Sequence, residues 1–506
     1  MGGQMVGALR GLSRVRAAKD RALTQWPGNR GNGLVQAPGP PRVPGELANA
    51  RTITQRTVHT MNQLNPAGTG SVVRVPPGLI LPVGPIGTGG TELAARAVRR
   101  GLAHQNVVSV RALAQSAGGQ CNTQAAQRAT ADAVTVQASI RLRAGQTALI
   151  DGENLARHER QNLVGLAHSM GRSATALLAA PLDYNLLTAR ARAIAPALAQ
   201  ETLASSVMAW HKVATTSLLA EGFDRVELYT DKTDICVLPN DPDWRSVPGP
   251  FLLIGDVHGC YGTLLDLLGH FGFDEDLGHP DGLFPILLGD VNDKGGTRLE
   301  DVDDPREVGV VQALRFAANH YRAGRLGWVL GNHERKLGRL LASGEVSGPH
   351  GVGETLAAIA AQPDAEALTA SLVRLLPYLH THLQLQDGRS GLVAVHAGIN
   401  SALLGKDNKK AVNFCCYTRT NWPAEWDRAE AVAFGHVIQE QGPLVASAKS
   451  GACVLGLDTG AYEGGGLTGY RTDTNRTITV PTRPSDLAPL EALERYSREA
   501  ELVLAG

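Results

Sequence analysis

Asp256, His258, Asp290, Asn332, His333, His396 and His436 share one setting in the sequence. Each lies at or just after the end of an apolar run: Phe251-Leu252-Leu253-Ile254, Ile286-Leu287-Leu288, Gly327-Trp328-Val329-Leu330, Leu392-Val393-Ala394-Val395 or Ala431-Val432-Ala433-Phe434. Carboxylate oxygens and neutral imidazole nitrogens suit divalent first-row metals such as manganese, iron or zinc. One carboxylate can bridge two such ions roughly 3.5–4 Å apart. The pair draws the pKa of a bound water toward about 7 and clamps phosphoryl oxygens. A leaving oxygen also needs a proton, and a histidine next to a ligand, as His333 is next to Asn332, can give it. These residue types point to metal-assisted cleavage of phosphate esters.

Such chemistry needs elements that bring distant residues together. The five apolar runs read as five strands, each handing an Asp, Asn or His to its carboxyl end, where open α/β sheets place ligands. A single strand ending in Asp or His says little, because Asp also caps ordinary turns. Five in succession, converging on one sheet edge, require five unrelated coincidences if they have no common purpose. His270, His279, His320, His380 and His382 fall outside these motifs and read as surface or core residues.

The motifs Gly255-Asp256-Val257-His258-Gly259, Gly289-Asp290-Val291-Asn292-Asp293-Lys294-Gly295, Gly331-Asn332-His333-Glu334, His396-Ala397-Gly398 and Gly435-His436 resemble those of the calcineurin-like metallophosphoesterases, in particular their phosphoprotein-phosphatase branch. The resemblance covers residues 251–460. It implies a fold of two facing sheets flanked by helices and a pair of divalent metal ions. It assigns Asp256, His258 and a bridging Asp290 to one metal, and Asp290, Asn332, His396 and His436 to the other. It makes His333 the general acid and Asp293 the carboxylate that orients it. Lys294 stands where the family has a phosphate-gripping Arg, so phosphate is expected to be held by Lys294 and Asn332, without the two-pronged grip that a guanidinium gives. Asn292 replaces a Val, and Val437 replaces a Thr after the last ligand.

The N-terminal half carries Gly84-Pro85-Ile86-Gly87-Thr88-Gly89-Gly90-Thr91 between a strand pattern and a helix pattern. This fits the phosphate-binding loop G-x-x-x-x-G-K-[ST], except that Gly90 replaces the Lys. Together with Thr147–Asn154, Arg190, Arg192 and the stretch 219–228, it resembles the P-loop kinase module of bacterial polynucleotide kinase-phosphatases. No Lys occurs between Lys19 and Lys212, and Arg111 stands where that module has its general-base Asp. Gly84, Gly87, Gly89, Gly90 and Thr91 are therefore expected to form a degenerate P-loop in a pseudokinase.

At 506 residues the chain exceeds one usual core. The expected organisation is α/β throughout. It comprises a disordered basic region over 1–75, a kinase-like parallel-sheet domain over 76–232 and a linker over 233–250. A two-sheet metallophosphoesterase domain follows over 251–480, then a C-terminal helix over 481–506. One helix is expected over 197–222. A formal net charge of zero gives no overall pull toward nucleic acid or membrane. No apolar run has transmembrane length, so no membrane partner is expected. Six cysteines without a C-x-x-C pair argue against structural zinc and suit a cytoplasmic setting. The expected substrate is a phosphomonoester, on a nucleic-acid end or a nucleotide. Alternatives are a phosphoprotein (Gly331–Glu334), diadenosine tetraphosphate (His396–Gly398), or no reaction at all in a nucleic-acid-binding scaffold.

Overall fold

The computed structural model describes residues 72–116, 124–213, 215–344, 351–388, 390–419, 421–489 and Glu494. β1 (Val72–Val75) opens the described chain. β2 (Gly78–Val83), β3 (Val107–Ser109), β4 (Ala148–Asp151), β5 (Ser173–Ala179) and β6 (Arg225–Tyr229) then form an all-parallel sheet in the order β3-β4-β2-β5-β6. β2 and β4 are apolar almost throughout because helices cover both faces of a parallel sheet. Leu79, Leu81, Leu149 and Leu177 are fully buried there, each worth about 1.5–3 kcal/mol of burial.

β1 already lies inside the region expected to be unstructured. β1 pairs in parallel with β7 (Asp234–Val237), which lies in the expected linker. The linker is also anchored further on. Trp244 and Val247 are buried, Trp244 N–H donates to Gln384 O at 2.8 Å, and Gln384 N–H donates to Pro242 O at 2.7 Å. Its turn-forming prolines mask an apolar load that needs burial. The expected helix over 197–222 is two helices, Gln200–His211 and Thr215–Ala220. The β-branched Val213, Thr215 and Thr216 cluster at the break, where they lose rotamer freedom in a helix. Residues 1–71 and most of the expected C-terminal helix lie outside the described residues.

The second half contains β8 (Phe251–Ile254), β9 (Phe284–Leu287), β10 (Gly327–Trp328), β11 (His382–Asp387), β12 (Ser390–Val395), β13 (Ala431–Phe434), β14 (Leu444–Ser447), β15 (Cys453–Gly456), β16 (Leu467–Arg471) and β17 (Arg476–Val480). They form two mixed sheets, β10-β9-β8-β16-β17 and β11-β12-β13-β15-β14. Alternation along each strand sends side chains to opposite faces. Phe251 and Leu253 thus join Leu383, Leu385 and Ala394 in a core between the sheets. Leu252 and Ile254 instead pack on the outer helices Tyr261–His270 and Gly309–Arg322. Val393, Val395 and Val432 meet Trp422 and Trp426 on the other outer face. β8, β9, β12 and β13 run parallel to their neighbours β9, β8, β13 and β12, so their carboxyl ends share an edge within each sheet.

Candidate active site

Asp256 follows β8, Asp290 follows β9, Asn332 opens the helix Asn332–Ser343 after β10, His396 follows β12 and His436 follows β13. Those side chains meet around Asp290. Its Oδ2 lies 3.7 Å from His258 Nε2, 3.8 Å from His333 Nε2 and 3.4 Å from His396 Nε2. Two groups with ligand-like spacing result: His258, Asp290 and His333, and Asp290, His396 and His436. Within each, the ligand atoms lie within 4.8 Å of one another. Asp290 belongs to both. Asp256 borders the first group, its Oδ2 being 4.0 Å from His258 Nε2, and Asn332 borders the second, its Oδ1 being 2.9 Å from His396 Nε2.

The rings are held so that one nitrogen faces the cluster. His258 Nδ1 donates to Asn292 O and His396 Nδ1 donates to Leu288 O, each at 3.0 Å, which leaves both Nε2 atoms directed at the carboxylates. This backbone-tethered arrangement is the usual setting of a ligating histidine. Asp256 Oδ1 and His436 Nε2 are buried without a hydrogen-bond partner among the described residues. Orphaned buried acceptors are costly, and a divalent cation would satisfy both. The donor set of carboxylate oxygen, amide oxygen and imidazole nitrogen fits such ions.

The electrostatics agree. Burial works against ionisation of Asp290, yet His396 and His333 hold its carboxyl well below the usual carboxylate range. Burial and then the charge of Asp458 push Asp256 well above that range. Burial alone would lower the pKa of His396, but Asp290 and Asp256 raise it to about 10, a sign of how strongly the two carboxylates draw positive charge to this spot. Three buried carboxylates this close call for cations.

His333 is fixed at its other end. Its Nδ1 lies 2.5 Å from Asp293 Oδ2, its backbone N–H donates to Asp290 Oδ1 at 3.0 Å, and Thr355 Oγ1 donates to Asp293 Oδ1. Lys294 Nζ reaches Tyr462 OH at 3.2 Å, stands 4.3 Å from the centre of that ring, and lies 3.4 Å from His258 Nε2. Glu334 accepts three backbone N–H groups: Gly331 and Asp290 at 2.9 Å on Oε2, and Val291 at 2.6 Å on Oε1. It thereby ties the second motif to the third. The approach is close enough to demand glycine. A Cβ at Gly331 would run into Asp290 Oδ1, and one at Gly435 into Asp256 Oδ1.

Five residues here, His258 (φ 47°), Asp290 (φ 50°), Asp293 (φ 74°), Lys294 (φ 69°) and His436 (φ 66°), have left-handed backbones, an arrangement uncommon outside glycine. The sequence named all five but not their conformation. It missed Thr355, Tyr462, Asp458 and the clamp made by Glu334. Long-range partners of this kind leave no local pattern. Nothing in the structure explains Asn292, whose buried side chain has no partner among the described residues. The other histidines lie off the site. His380 pairs with Asp407 and His382 packs beside it, while His270 and His279 bond backbone carbonyls. The turn Gly84–Thr91 lies in the other half of the molecule, where Thr91 Oγ1 donates to Asp151 Oδ1 at 2.9 Å.

The family model for calcineurin-like phosphoesterase matches residues 249–438. The bis(5'-nucleosyl)-tetraphosphatase PrpE (asymmetrical) of Geobacillus thermodenitrificans is 30% identical over 250 residues, covering 46% of this chain and 93% of that protein. This chain belongs to the calcineurin-like phosphoesterases. The proteins of the same name from Geobacillus sp. (strain WCH70) and Bacillus subtilis are 29% and 27% identical, each over 248 residues, 46% of this chain and 93% of the relative. Among solved structures, a cold-active protein tyrosine phosphatase covers 50% of this chain and 82% of its own at 17% identity, with a TM-score of 0.31, too loose a match to bear on function. As a calcineurin-like phosphoesterase the chain is a metal-dependent phosphoric ester hydrolase. No helix among the described residues is long and apolar enough to cross a membrane.

Proposed function

We propose that this site hydrolyses a phosphate bond of a nucleotide, with dinucleoside polyphosphates as the first substrates to try and phosphorylated nucleic-acid ends as the second. The relatives' names favour the former, which the sequence motifs left as one alternative among several. The observation that carries the catalytic reading is the sharing of Asp290 between two ligand groups, with His333 and Asp293 beside it. Asp256, His258 and Asp290 would hold one cation, and Asp290, Asn332, His396 and His436 the other. Two divalent ions in such a site supply Lewis acidity at phosphoryl oxygens and a nucleophile near neutral pH. Asp293, gripping Nδ1, leaves Nε2 of His333 as the end that can pass a proton to the leaving oxygen. Lys294 would neutralise a phosphoryl oxygen as a point charge, and Tyr462 keeps its ammonium in place.

The first test is metal-dependent turnover of diadenosine tetraphosphate, an oligonucleotide 3′-phosphate, a phosphopeptide and an aryl phosphate. Chelation should abolish all activity, and Asp290→Asn should be the worst single change. His333→Ala should slow poor leaving groups by on the order of 10²–10⁴-fold while sparing the aryl phosphate. Near wild-type turnover in Asp290→Asn would rule out the shared-ligand scheme. Equal losses on both leaving groups would remove His333 from the acid role.

The N-terminal half reads as a pseudokinase. Gly90 supplies no cation, Arg111 stands exposed beyond β3, and Arg190 is occupied by Asp231 at 2.5 Å. Transfer of label from ATP to a 5′-hydroxyl oligonucleotide should be undetectable.

A further inference from the structure

A groove of about 880 Å³ runs between the parallel-sheet half and the two-sheet half, and none of the metal-site residues line it. Its polar lining is mostly donors. Arg172 follows the helix Arg157–Ser169, Arg322 ends the helix Gly309–Arg322, and Arg374 lies in the last turn of the helix Ala365–Leu375. Cations at helix carboxyl ends are ordinary in themselves. Their lack of partners is not. Arg172 and Arg322 are half-buried, yet none of the three guanidiniums bonds an acceptor among the described residues, and Arg172 Nε is wholly buried. Burial lowers the pKa of Arg322, the charge of Asp224 opposes this without bonding the guanidinium, and Arg374 lowers it further. The carboxylate in the lining, Asp224, meets His168 Nε2 at 3.0 Å and Ala174 N–H at 2.8 Å through its Oδ2, and it forms no hydrogen bond to any of the three guanidiniums.

A further donor is left over. Trp244 lines the groove and is 2% exposed, and its indole N–H, which can only donate, has no partner among the described residues. Half-buried cations and buried donors without acceptors are costly unless something rich in acceptor oxygens meets them. The guanidinium of Arg172 stands 5.9 Å from the ring centre of Tyr378, a side chain 67% exposed at the same groove. An open aromatic face beside clustered cations can stack on a base. The groove's volume is that of a small-molecule site.

We propose that this groove binds an oligophosphate, either a free polyphosphate chain or the phosphate chain of a nucleotide, at Arg172, Arg322 and Arg374 and apart from the metal site. The experiment is titration calorimetry of the full chain in excess chelator, with tripolyphosphate and with ATP as probes. Saturable binding in the micromolar to low-millimolar range is expected. The double change Arg322→Ala with Arg374→Ala should weaken it by at least about tenfold, the value of one charge-assisted contact. Aryl-phosphate hydrolysis by the metal-loaded variant should be unchanged. Should the double variant not fold, Arg374→Glu at an exposed position should weaken binding alone. Tighter binding of ATP, abolished by Tyr378→Ala, assigns the groove to nucleotides. Equal binding of the two probes assigns it to the phosphate chain alone. Absence of saturation, or affinity that Arg374→Glu and the double variant leave intact, would overturn the proposal.

Discussion

Lys294 stands where the resemblance puts an arginine, and its surroundings explain how a single ammonium could serve. Tyr462 supplies both a hydroxyl at 3.2 Å and a ring face at 4.3 Å, so the flexible side chain is held in one place. Burial keeps the Tyr462 phenol protonated well past neutral pH. Tyr462→Phe should raise KM for phosphate esters by about 3- to 10-fold with little change in kcat, since it frees the ammonium proposed to bind phosphate rather than to react. Adding Lys294→Arg in that background should restore much of the loss, because a guanidinium grips phosphate in two places and stacks on a phenyl ring unaided. Steady-state kinetics of the single and double variants decide it. A double variant no better than Tyr462→Phe would mean that the pocket is shaped for lysine alone.

At the scale of elements, the strands that carry the proposed ligands were legible because each is an apolar run cut short by Gly, Asp, Asn or His. Phe251–Ile254 and Ala431–Phe434 are strands as read. What stayed hidden has no such signature. β7 hides among the prolines and acids of the linker, and its pairing with β1 spans more than a hundred residues. β14 and β17, largely exposed, alternate too weakly to stand out. Thr355 reaches Asp293 from a helix that carries no motif.

One element-level histidine has a consequence in solution. His382, in β11, is fully buried and neutral: Gly405 N–H donates to its Nε2 at 2.8 Å, and its Nδ1 lies 3.0 Å from Thr381 Oγ1. Burial, opposed by the charge of Asp407, lowers its pKa to about 4. The unfolded chain would take up this proton near pH 6.5, whereas the folded chain resists until about 4. This contribution to stability is therefore whole above pH 6.5 and is lost as pH falls toward 4, on the order of 3 kcal/mol in all. Urea unfolding at pH 7 and pH 5 should show the decline, and His382→Gln should flatten it. An unchanged pH slope in that variant would assign the decline to other groups.

Across the whole molecule, the two halves are joined by more than covalent linkage. Arg225, at the start of β6, is 8% exposed and donates to Glu227 Oε1 at 2.9 Å and to the carbonyls of Arg74 and Ala323. Arg325 reaches the same Glu227 oxygen at 3.0 Å and Asp276 at 2.5 Å, so the network crosses from the parallel sheet to the helices over the metal-site half. Breaking a buried pair from one side typically costs about 3–5 kcal/mol. Arg225→Met should therefore lower overall stability and split thermal unfolding into two calorimetric transitions, the first belonging to the N-terminal half. A single transition at the wild-type temperature would show that the contacts left without Arg225 suffice to couple the halves.

The left-handed backbones of His258, Asp290, Asp293, Lys294 and His436 are expected to set heat resistance against turnover. A side chain in that conformation costs about 1–2 kcal/mol relative to glycine, less for Asp and His. Lys294, the one of the five that is neither Asp nor His, therefore bears the largest single cost, set against the roughly 5–15 kcal/mol that separates folded from unfolded protein. A library selected only for survival at high temperature is thus expected to accumulate glycine at position 294 and to shed hydrolytic rate as it does so, whereas one selected for both will keep the lysine. Sequencing the survivors of the two selections checks this, and glycine at equal frequency in both would show that the turn is held there at no cost.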